Sequence, residues 1–438
     1  MRTINRSRFK VGFAAAVCVW SALGGSSRAD DQAVFEAARS YTVKVRTQVS
    51  LPFSEDKKGT YRGAGFVVDA KRGWIATNAH VSSRSSAPVF AAFLNGEYIP
   101  VRPVYVDPDV DLAVLELPES ARRSIRGEAA LDCDSQPRVG HPVGAFGHPW
   151  SLSFTGTRGI VSGWSAKYKG MVEMVQTDAP IDPGNSGGPL ISLEHGRTVG
   201  INTSKKPDSQ GSNFALPVSH VCRVLDLLRA GRDPAAPSLD ASFVVDPDEP
   251  RKLVVARLHA GAPESELREG DEILGVAGEA GEIRNRGHLI NALRGRSGVV
   301  SLRVRREGRD MALPVTLRAA GRIAERRGVF ASGALFSLTP EDGFADVLNG
   351  RYKLMVHHVD VGSRAHAAFI EKWDFVVSAD GAPVRTLEEI HECLKKAEAG
   401  GREAVLKFLH VESTYGSFFS FTESRLPVAD VKWIGPRR

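Results

Sequence analysis

Hydrophobic and polar residues alternate over short stretches between residues 43 and 203, and glycine, proline and asparagine separate these stretches. Alternation with a period of two is typical of β-strands that are buried on one face. The predicted strands are 64–68, 74–77, 89–94, 98–106, 112–117, 143–146, 159–161, 171–176 and 190–193. Because no helical pattern interrupts them, we expect an antiparallel β-barrel or β-sandwich.

The hydrophobic period changes after this β-rich region. Four apolar residues share one face of a predicted helix: Val221, Val224, Leu225 and Leu228. Gly231 follows them, and glycine just beyond the last turn is a common signal for the end of a helix. We therefore predict that an amphipathic helix closes this region and that a proline-rich linker follows at residues 232–238.

A weak internal repeat follows the linker. The segment GDEIL that begins at Gly270 recurs 103 positions later as WDFVV, and each copy precedes a helical pattern and an apolar strand. Thr386 and Glu389 have the spacing of a capping box, which predicts where the second helix begins. We expect two related α+β modules, at residues 239–320 and 325–434.

The composition is that of a folded protein with several domains. The 438 residues include 42% apolar and 25% charged residues, which excludes a disordered chain and indicates about three domains. The net charge of +6 comes from the N-terminus. Residues 1–29 carry five basic and no acidic residues, and the remainder holds 52 basic and 51 acidic ones. The charge therefore gives no support to a nucleic-acid partner.

Residues 1–29 combine a basic start, an apolar run from Val11 to Leu23, and small residues before a cleavage position after Ala29. These three parts are typical of a secretory signal peptide, so we expect export. The alternative is a retained membrane anchor, but the apolar run is shorter than the roughly 20 residues that cross a bilayer.

Cysteine usage is sparse. Beyond the predicted signal peptide, Cys133, Cys222 and Cys393 allow one disulfide and leave one thiol. The sequence leaves open whether Cys133 and Cys222 pair. Neither a CxxC motif nor a nucleotide-binding GxxxxGK motif occurs, so we expect no metal, no nucleotide and no other cofactor.

The strongest chemical signal is the segment GNSGGPL, which begins at Gly184 and contains Ser186. Glycines on both sides of the serine allow a tight turn that can direct the N–H groups of Gly184 and Ser186 toward one point. Such N–H groups stabilise the oxyanion that forms when a serine attacks a carbonyl carbon. Taken alone, a glycine-rich loop with one serine is as often an ordinary turn.

Two other segments supply the partners that a nucleophilic serine needs. His80 ends a predicted strand, and Asp111 opens another apolar strand. A catalytic histidine takes the proton of the serine, and a carboxylate fixes the tautomer of the histidine. We therefore assign the catalytic roles to Ser186, His80 and Asp111. Asp109 is the competing carboxylate, but we expect Asp107 and Asp109 to be solvated loop residues.

The joint occurrence of these motifs, in this order, resembles the HtrA/Deg family of chymotrypsin-like serine proteases. The resemblance rests on the segments GAGFVV, TNAHV, DLAVL and QTDAPIDPGNSGGPL, at residues 63–68, 77–81, 111–115 and 176–190. It implies a mainly β fold, in which residues 30–231 form a trypsin-like domain of two six-stranded antiparallel β-barrels. It also implies ATP-independent degradation of unfolded or damaged proteins in the cell envelope, and a homotrimer.

The two C-terminal modules resemble PDZ domains, which bind C-terminal or extended peptides by adding a strand to a sheet edge. The resemblance places the carboxylate-binding loop of the second module at four residues: Gly333, Ala334, Leu335 and Phe336. The alternative is that these residues are only the start of a buried strand. The first module has no glycine-containing loop near Asp240, so peptide binding by that module stays open.

The same resemblance assigns the primary specificity pocket to Pro180, Phe214 and Leu216. In this fold a charged residue six positions before the nucleophile selects charged side chains, and here that residue is Pro180. We therefore expect an uncharged pocket for small or aliphatic side chains. The alternative function is a chaperone or peptide-sensing scaffold in which the catalytic triad is held inactive.

Overall fold

The computed structural model describes residues 30–148, 154–165, 172–206, 211–245, 252–259, 266–339, 352–412 and 418–436. The predicted signal peptide at residues 1–29 lies outside these ranges. Within them, the chain forms two closed β-barrels and then two sheets that carry packed helices. No helix in the described ranges is long and apolar enough to cross a membrane.

The first barrel contains six antiparallel strands. These are β1 (Thr42–Val49), β2 (Gly59–Asp69), β3 (Trp74–Thr77), β4 (Val89–Ala92), β5 (Ile99–Asp107) and β6 (Leu112–Glu116). They close in the order β1-β2-β3-β6-β5-β4. Helix α1 (Asp31–Tyr41) precedes the barrel, and the single-turn helix α2 (Ala79–Ser82) directly follows β3. The chain therefore leaves the barrel at the end of β3 and enters this short helix.

The second barrel repeats this architecture. Its strands are β7 (Pro142–Gly147), β8 (Thr155–Ser165), β9 (Met174–Thr177), β10 (Pro189–Ser192), β11 (Thr198–Lys205) and β12 (Asn213–Pro217). They close in the order β10-β11-β12-β9-β8-β7, which confirms the barrel rather than the sandwich. Helix α3 (Val218–Arg229) follows β12, and the disulfide between Cys133 and Cys222 ties this helix to the segment between the barrels.

The first C-terminal module is a five-stranded sheet with one helix. It contains β13 (Ala241–Val245), β14 (Leu253–Leu258), β15 (Glu272–Val276), α4 (Arg286–Leu293), β16 (Gly298–Arg306) and β17 (Arg309–Leu317). The strands follow the order β13-β14-β15-β16-β17, so β13 lies at one edge of the sheet. Asn285 begins α4, because its side chain accepts a hydrogen bond from the N–H of His288 (3.0 Å).

The second C-terminal module has a larger sheet and two helices. Its elements are β18 (Gly328–Ala331), β19 (Ala334–Leu338), β20 (Leu354–Val359), α5 (Arg364–Ala367), β21 (Phe375–Ala379), β22 (Ala382–Pro383), α6 (Leu387–Ala399), β23 (Glu403–Glu412), β24 (Phe418–Pro427) and β25 (Lys432–Ile434). The strand order is β24-β23-β21-β20-β19-β18-β25, with β22 beside β21. The predicted capping box of α6 is confirmed, because Thr386 and Glu389 exchange side-chain-to-backbone hydrogen bonds.

The edge of the second module that was predicted to bind peptide is already occupied. Ser332 and Gly333 have φ angles of 53° and 97° and form the two-residue turn between β18 and β19. Strand β19 pairs with β18 on one side and β20 on the other, and helix α6 packs against β18. The residues that follow the turn are buried: Ala334, Leu335 and Phe336. The peptide-binding prediction for these residues and Gly333 is therefore wrong, and the buried-strand alternative holds.

The expectation of solvation is wrong for Asp107, whereas Asp109 is exposed, as expected. Asp107 is 1% exposed and forms a buried ion pair with Arg294, which follows α4 of the first C-terminal module. The same guanidinium donates to the Tyr105 hydroxyl (2.7 Å). Asp109 pairs with Arg286 of that module at 2.8 Å. Both carboxylates therefore join the first barrel to the first module, Asp107 from a buried position and Asp109 from an exposed one.

A buried histidine lies at the same contact. His220 of α3 is 3% exposed, and its Nδ1 is 3.0 Å from the side-chain oxygen of Asn291 on α4. Burial, followed by the positive charge of Arg294, lowers the pKa of His220 to about 3. The pKa in the unfolded chain is about 6.5, so the unfolded state takes up the proton first as the pH falls. The stability that the neutral ring provides is therefore complete above about pH 6.5 and decreases toward pH 3.

We expect this proton linkage to lower the free energy of unfolding by about 3 kcal/mol between pH 6.5 and pH 4. The substitution His220→Gln removes the titrating group, so the variant should lose that part of the pH dependence. Urea unfolding at several pH values measures the difference. The exposed His366 gives a matched control, and His366→Gln should retain the slope of the unmodified chain. Equal slopes in the His220→Gln variant and the unmodified chain would contradict the prediction.

Candidate active site

The three predicted catalytic residues lie at the seam between the two barrels. His80 is in α2, Asp111 is in the turn before β6, and Ser186 is in the loop between β9 and β10. The N–H of Ala64 in β2 donates to the carbonyl oxygen of Ser186 at 2.7 Å, so backbone contacts join the two barrels at the serine. Residues that are more than 70 positions apart in the sequence are thereby brought into one site.

Asp111 holds His80 through both carboxylate oxygens. Its Oδ2 is 2.7 Å from Nδ1 of the His80 ring, and its Oδ1 accepts the backbone N–H of His80 at 2.9 Å. Asp111 reaches this position with a left-handed backbone, at a φ of 59°. With Nδ1 bonded to the carboxylate, Nε2 is the ring nitrogen that remains for proton transfer.

The surroundings of Asp111 favour its ionised form. Burial of the carboxyl acts to raise its pKa, but the charge and hydrogen bonds of His80 outweigh this effect, and the positive charge of Arg84 adds to them. The net result is a pKa below the usual value for aspartate. Nη2 of Arg84 lies 3.6 Å from Oδ1 of Asp111. The histidine therefore faces a negative charge that would stabilise its protonated form.

The Ser186 hydroxyl is turned away from this pair. Its Oγ donates a hydrogen bond to the carbonyl oxygen of Thr203 in β11 at 3.0 Å. Within the described residues, no hydrogen bond joins this Oγ to the ring of His80. Rotation of the serine side chain would be required before the histidine could accept its proton.

The oxyanion hole was predicted at the backbone N–H groups of Gly184 and Ser186. Neither Gly184 nor Ser186 donates its backbone N–H to an acceptor in the described part of the chain. Gly184 has a φ of 113°, a conformation that residues with a Cβ rarely adopt. Gly187 has a φ of 87°, and its own N–H is bonded to Asn202 at 2.7 Å. The loop therefore presents two free donors on a backbone that requires glycine.

Two polar residues at the site were not predicted. The side chain of Asn78 donates to the Asp111 carbonyl (3.0 Å) and to the Thr203 hydroxyl (3.1 Å), so it spans both barrels. His148 is buried, contacts the Gly63 carbonyl through Nε2, and has a pKa lowered by that burial. In the sequence, the position of Asn78 two residues before His80 is the signal that could have indicated its role at the site. Nothing local in the sequence distinguishes His148.

The predicted pocket residues fall in two different places. Phe214 and Leu216 lie on one face of β12 and are 4% and 0% exposed, in the same apolar cluster as Met174 and Ile201. Pro180 is exposed, and its carbonyl oxygen accepts the Thr157 hydroxyl at 2.8 Å. The assignment of all three to the specificity pocket remains a prediction. Within the described residues, no group of three or more His, Cys, Asp or Glu side chains is arranged to hold a metal ion.

Comparisons with known proteins agree with this geometry. Residues 63–201 match the family described as the trypsin-like peptidase domain. A probable periplasmic serine endoprotease of the DegP-like type from Hahella chejuensis is 29% identical over 381 residues, which cover 78% of this chain and 77% of that protein. The corresponding protein of Brucella suis is 28% identical and covers 82% and 73%.

Solved structures give the same result. The HtrA-type protease AlgW with a tripeptide superposes with a TM-score of 0.52 and 26% identity, covering 66% of this chain and 97% of that one. AlgW with a decapeptide gives a TM-score of 0.51 at the same identity and covers 66% and 98%. The sequence motifs, the paired barrels and these relatives lead to one conclusion: residues 63–201 carry a trypsin-like peptidase domain, and the chain is similar to serine endoproteases of the HtrA/Deg type.

Proposed function

We propose that the chain is exported and cleaves unfolded polypeptides without nucleotide, with Ser186 as nucleophile, His80 as general base and acid, and Asp111 as the carboxylate that orients the histidine. The observation that carries this proposal is the 2.7 Å contact between His80 Nδ1 and Asp111 Oδ2, set against Ser186 across the seam of the barrels. The relative AlgW carries a tripeptide or a decapeptide, which supports a polypeptide substrate.

In this mechanism the Ser186 hydroxyl first leaves the Thr203 carbonyl and turns toward His80. Nε2 of His80 takes the hydroxyl proton while Oγ attacks the carbonyl carbon of the peptide. The ionised Asp111 stabilises the imidazolium that forms. His80 then returns the proton to the departing amine, and a water molecule repeats the cycle to release the acyl chain from Ser186.

The backbone N–H groups of Gly184 and Ser186 form the proposed oxyanion hole. Both groups are without acceptors among the described residues, so a developing negative charge on the substrate oxygen would gain two hydrogen bonds. Pro180, Phe214 and Leu216 are the proposed lining of an uncharged pocket for small or aliphatic side chains. An apolar pocket suits unfolded proteins, because such side chains are buried in folded ones.

A second candidate function is a chaperone or peptide-sensing scaffold with an inactive triad. The hydrogen bond from Ser186 Oγ to Thr203 favours it, because the nucleophile is not bonded to its base. A resting protease would have the same geometry and would differ only in its response to substrate. Cleavage of an unfolded protein therefore separates the two functions.

Two further observations support an exported, periplasmic location. The similar proteins from Hahella chejuensis and Brucella suis are named periplasmic. The disulfide between Cys133 and Cys222 is of a kind that persists in oxidising compartments. We therefore propose that residues 1–29 act as a signal peptide.

Peptide partners are proposed at the first C-terminal module. Strand β13 lies at the edge of its sheet, and among the described residues no strand pairs with its outer side between Ala241 and Val245. An extended peptide could add there through backbone hydrogen bonds. The homotrimer remains a prediction, and sedimentation of the full chain measures it.

We expect residues 30–438 to cleave a reduced, unfolded protein in the absence of nucleotide. The substitution Ser186→Ala removes the nucleophile and should lower turnover by roughly 10⁴-fold to 10⁶-fold, with the unfolding temperature unchanged. Gel electrophoresis of the products and thermal unfolding measure the two effects. Fragments that form equally with the unmodified chain and the variant would exclude Ser186, and the absence of fragments from both would favour the scaffold.

We expect the substitution Gly184→Ala to lower kcat by about 10²-fold, because a Cβ is unfavourable at a φ of 113° and would turn the two N–H donors apart. Gly140 is a matched control, because it has a φ of 88° and open space around it. Gly140→Ala should have the same local strain but normal kcat. Similar kcat values for the two variants would contradict the proposed oxyanion hole.

A further inference from the structure

The loop at residues 51–58 connects the first barrel to the second C-terminal module. Phe53 is fully buried, with its ring 5.4 Å from the ring of His357 and 4.6 Å from the guanidinium of Arg326. Both of these partners belong to the second module. The loop therefore leaves the barrel and inserts an aromatic side chain into that module.

Polar contacts surround the buried ring. The guanidinium of Arg326 donates to both carboxylate oxygens of Glu55, at 2.8 and 3.0 Å. The backbone N–H of Ser54 donates to Nδ1 of His357 at 3.1 Å, and Lys372 donates to the Ser54 carbonyl at 2.8 Å. A bidentate arginine–carboxylate pair fixes orientation as well as distance. The module thus holds residues 53–55 in one position.

The next residue in the loop reaches toward the catalytic histidine. Asp56 is 6% exposed, and its Oδ2 accepts three hydrogen bonds, from the Ser83 hydroxyl (2.6 Å), the Arg84 N–H (2.9 Å) and the Ser85 hydroxyl (2.6 Å). These donors directly follow α2, the single turn that carries His80. Ser83 has a φ of 72°, which is unfavourable for a residue with a Cβ. The three hydrogen bonds that Asp56 accepts from residues 83–85 compensate for this conformation.

The same segment also bears on the catalytic carboxylate. The backbone N–H of Arg84 donates to Asp56, and the side chain of Arg84 lies 3.6 Å from Asp111. The hydroxyl of Ser85 accepts the backbone N–H of Phe53 at 2.9 Å, which closes the loop onto the segment after α2. A continuous chain of contacts therefore runs from the second module to both members of the histidine–aspartate pair.

From these contacts we infer that Asp56 is a positioning residue for His80 and that the second C-terminal module, through Arg326 and Phe53, holds Asp56 in place. This inference rests on the catalytic role proposed for His80. Loss of the module contact would release Asp56 and allow the strained turn after α2 to relax. His80 would then spend less time in the orientation that serves Ser186.

The first experiment compares Asp56→Ala with Asp56→Asn in the full chain, using a fluorogenic peptide with an aliphatic residue before the scissile bond. We expect Asp56→Ala to lower kcat about tenfold with KM nearly unchanged. The Asp56→Asn variant keeps a carbonyl oxygen that can accept the same bonds, so it should recover most of the loss. Unchanged kcat in Asp56→Ala, or equal losses in both variants, would overturn the positioning role.

The second experiment uses two neighbouring arginines of the second module. Arg326→Gln breaks the contacts to Glu55 and Phe53 and should lower kcat severalfold. Arg327 is the matched control, because it pairs with Glu388 at 3.0 Å and stacks on Trp433, both within the module. Arg327→Gln should therefore keep normal kcat. Equal losses in the two variants would overturn the inference.

A double variant tests whether Arg326 acts through Asp56. If it does, adding Arg326→Gln to Asp56→Ala should lower kcat no further, because coupled residues are not additive. If the two losses in kcat multiply in the double variant, Arg326 does not act through Asp56.

Hydrogen exchange separates failure of this inference from failure of the proposed function. Amides of residues 79–85 should exchange faster in Asp56→Ala and Arg326→Gln than in the unmodified chain or in Arg327→Gln. This measurement does not require cleavage, so a chain without protease activity still gives a result. Unchanged exchange in both variants would overturn the inference even in an active enzyme.

Discussion

The site depends on close backbone contact between the two barrels. The N–H of Ala64 donates to the Ser186 carbonyl, and a Cβ added at Gly187 would lie 2.1 Å from the Ala64 carbonyl oxygen. A Cβ at Gly63 would likewise lie 2.8 Å from the Ser186 carbonyl oxygen. Since no side chain fits in the seam, the nucleophile loop rests directly on β2. The serine of one barrel can therefore face the histidine and aspartate of the other.

The two C-terminal modules contact the turns that support this pair, and they do so by different means. The first module contributes Arg294, which is fully buried against Asp107, four residues before Asp111, the proposed catalytic carboxylate. Removing one partner of a buried ion pair leaves an uncompensated charge, so this contact fixes the module strongly. The second module holds the loop at residues 51–58 with the buried ring of Phe53 and a partly buried ion pair between Arg326 and Glu55.

The modules also differ in whether an edge of the sheet is left open to another strand. In the first, β13 remains at the edge of the sheet. In the second, one side of β19 pairs with β18, and the other side of β18 pairs with β25. The turn at Ser332 and Gly333 makes this pairing local, since two residues with positive φ join the strands directly. The second module thus uses its sheet edge for its own chain and its outer surface for the protease domain.

The sequence by itself determined the features that depend on local pattern. The period of two predicted nine of the twelve barrel strands, and the Thr386 and Glu389 spacing predicted the start of α6. The ordered motifs around His80, Asp111 and Ser186 predicted the chemistry. Only the tertiary structure decided which side chains became buried against distant partners. Asp107 looked like a solvated loop residue because Arg294 lies 187 positions away, and Gly333 looked like part of a peptide-binding loop because the strand that fills the edge was not recognised. The energies of burial and pairing depend on neighbours in space, and local sequence pattern does not contain them.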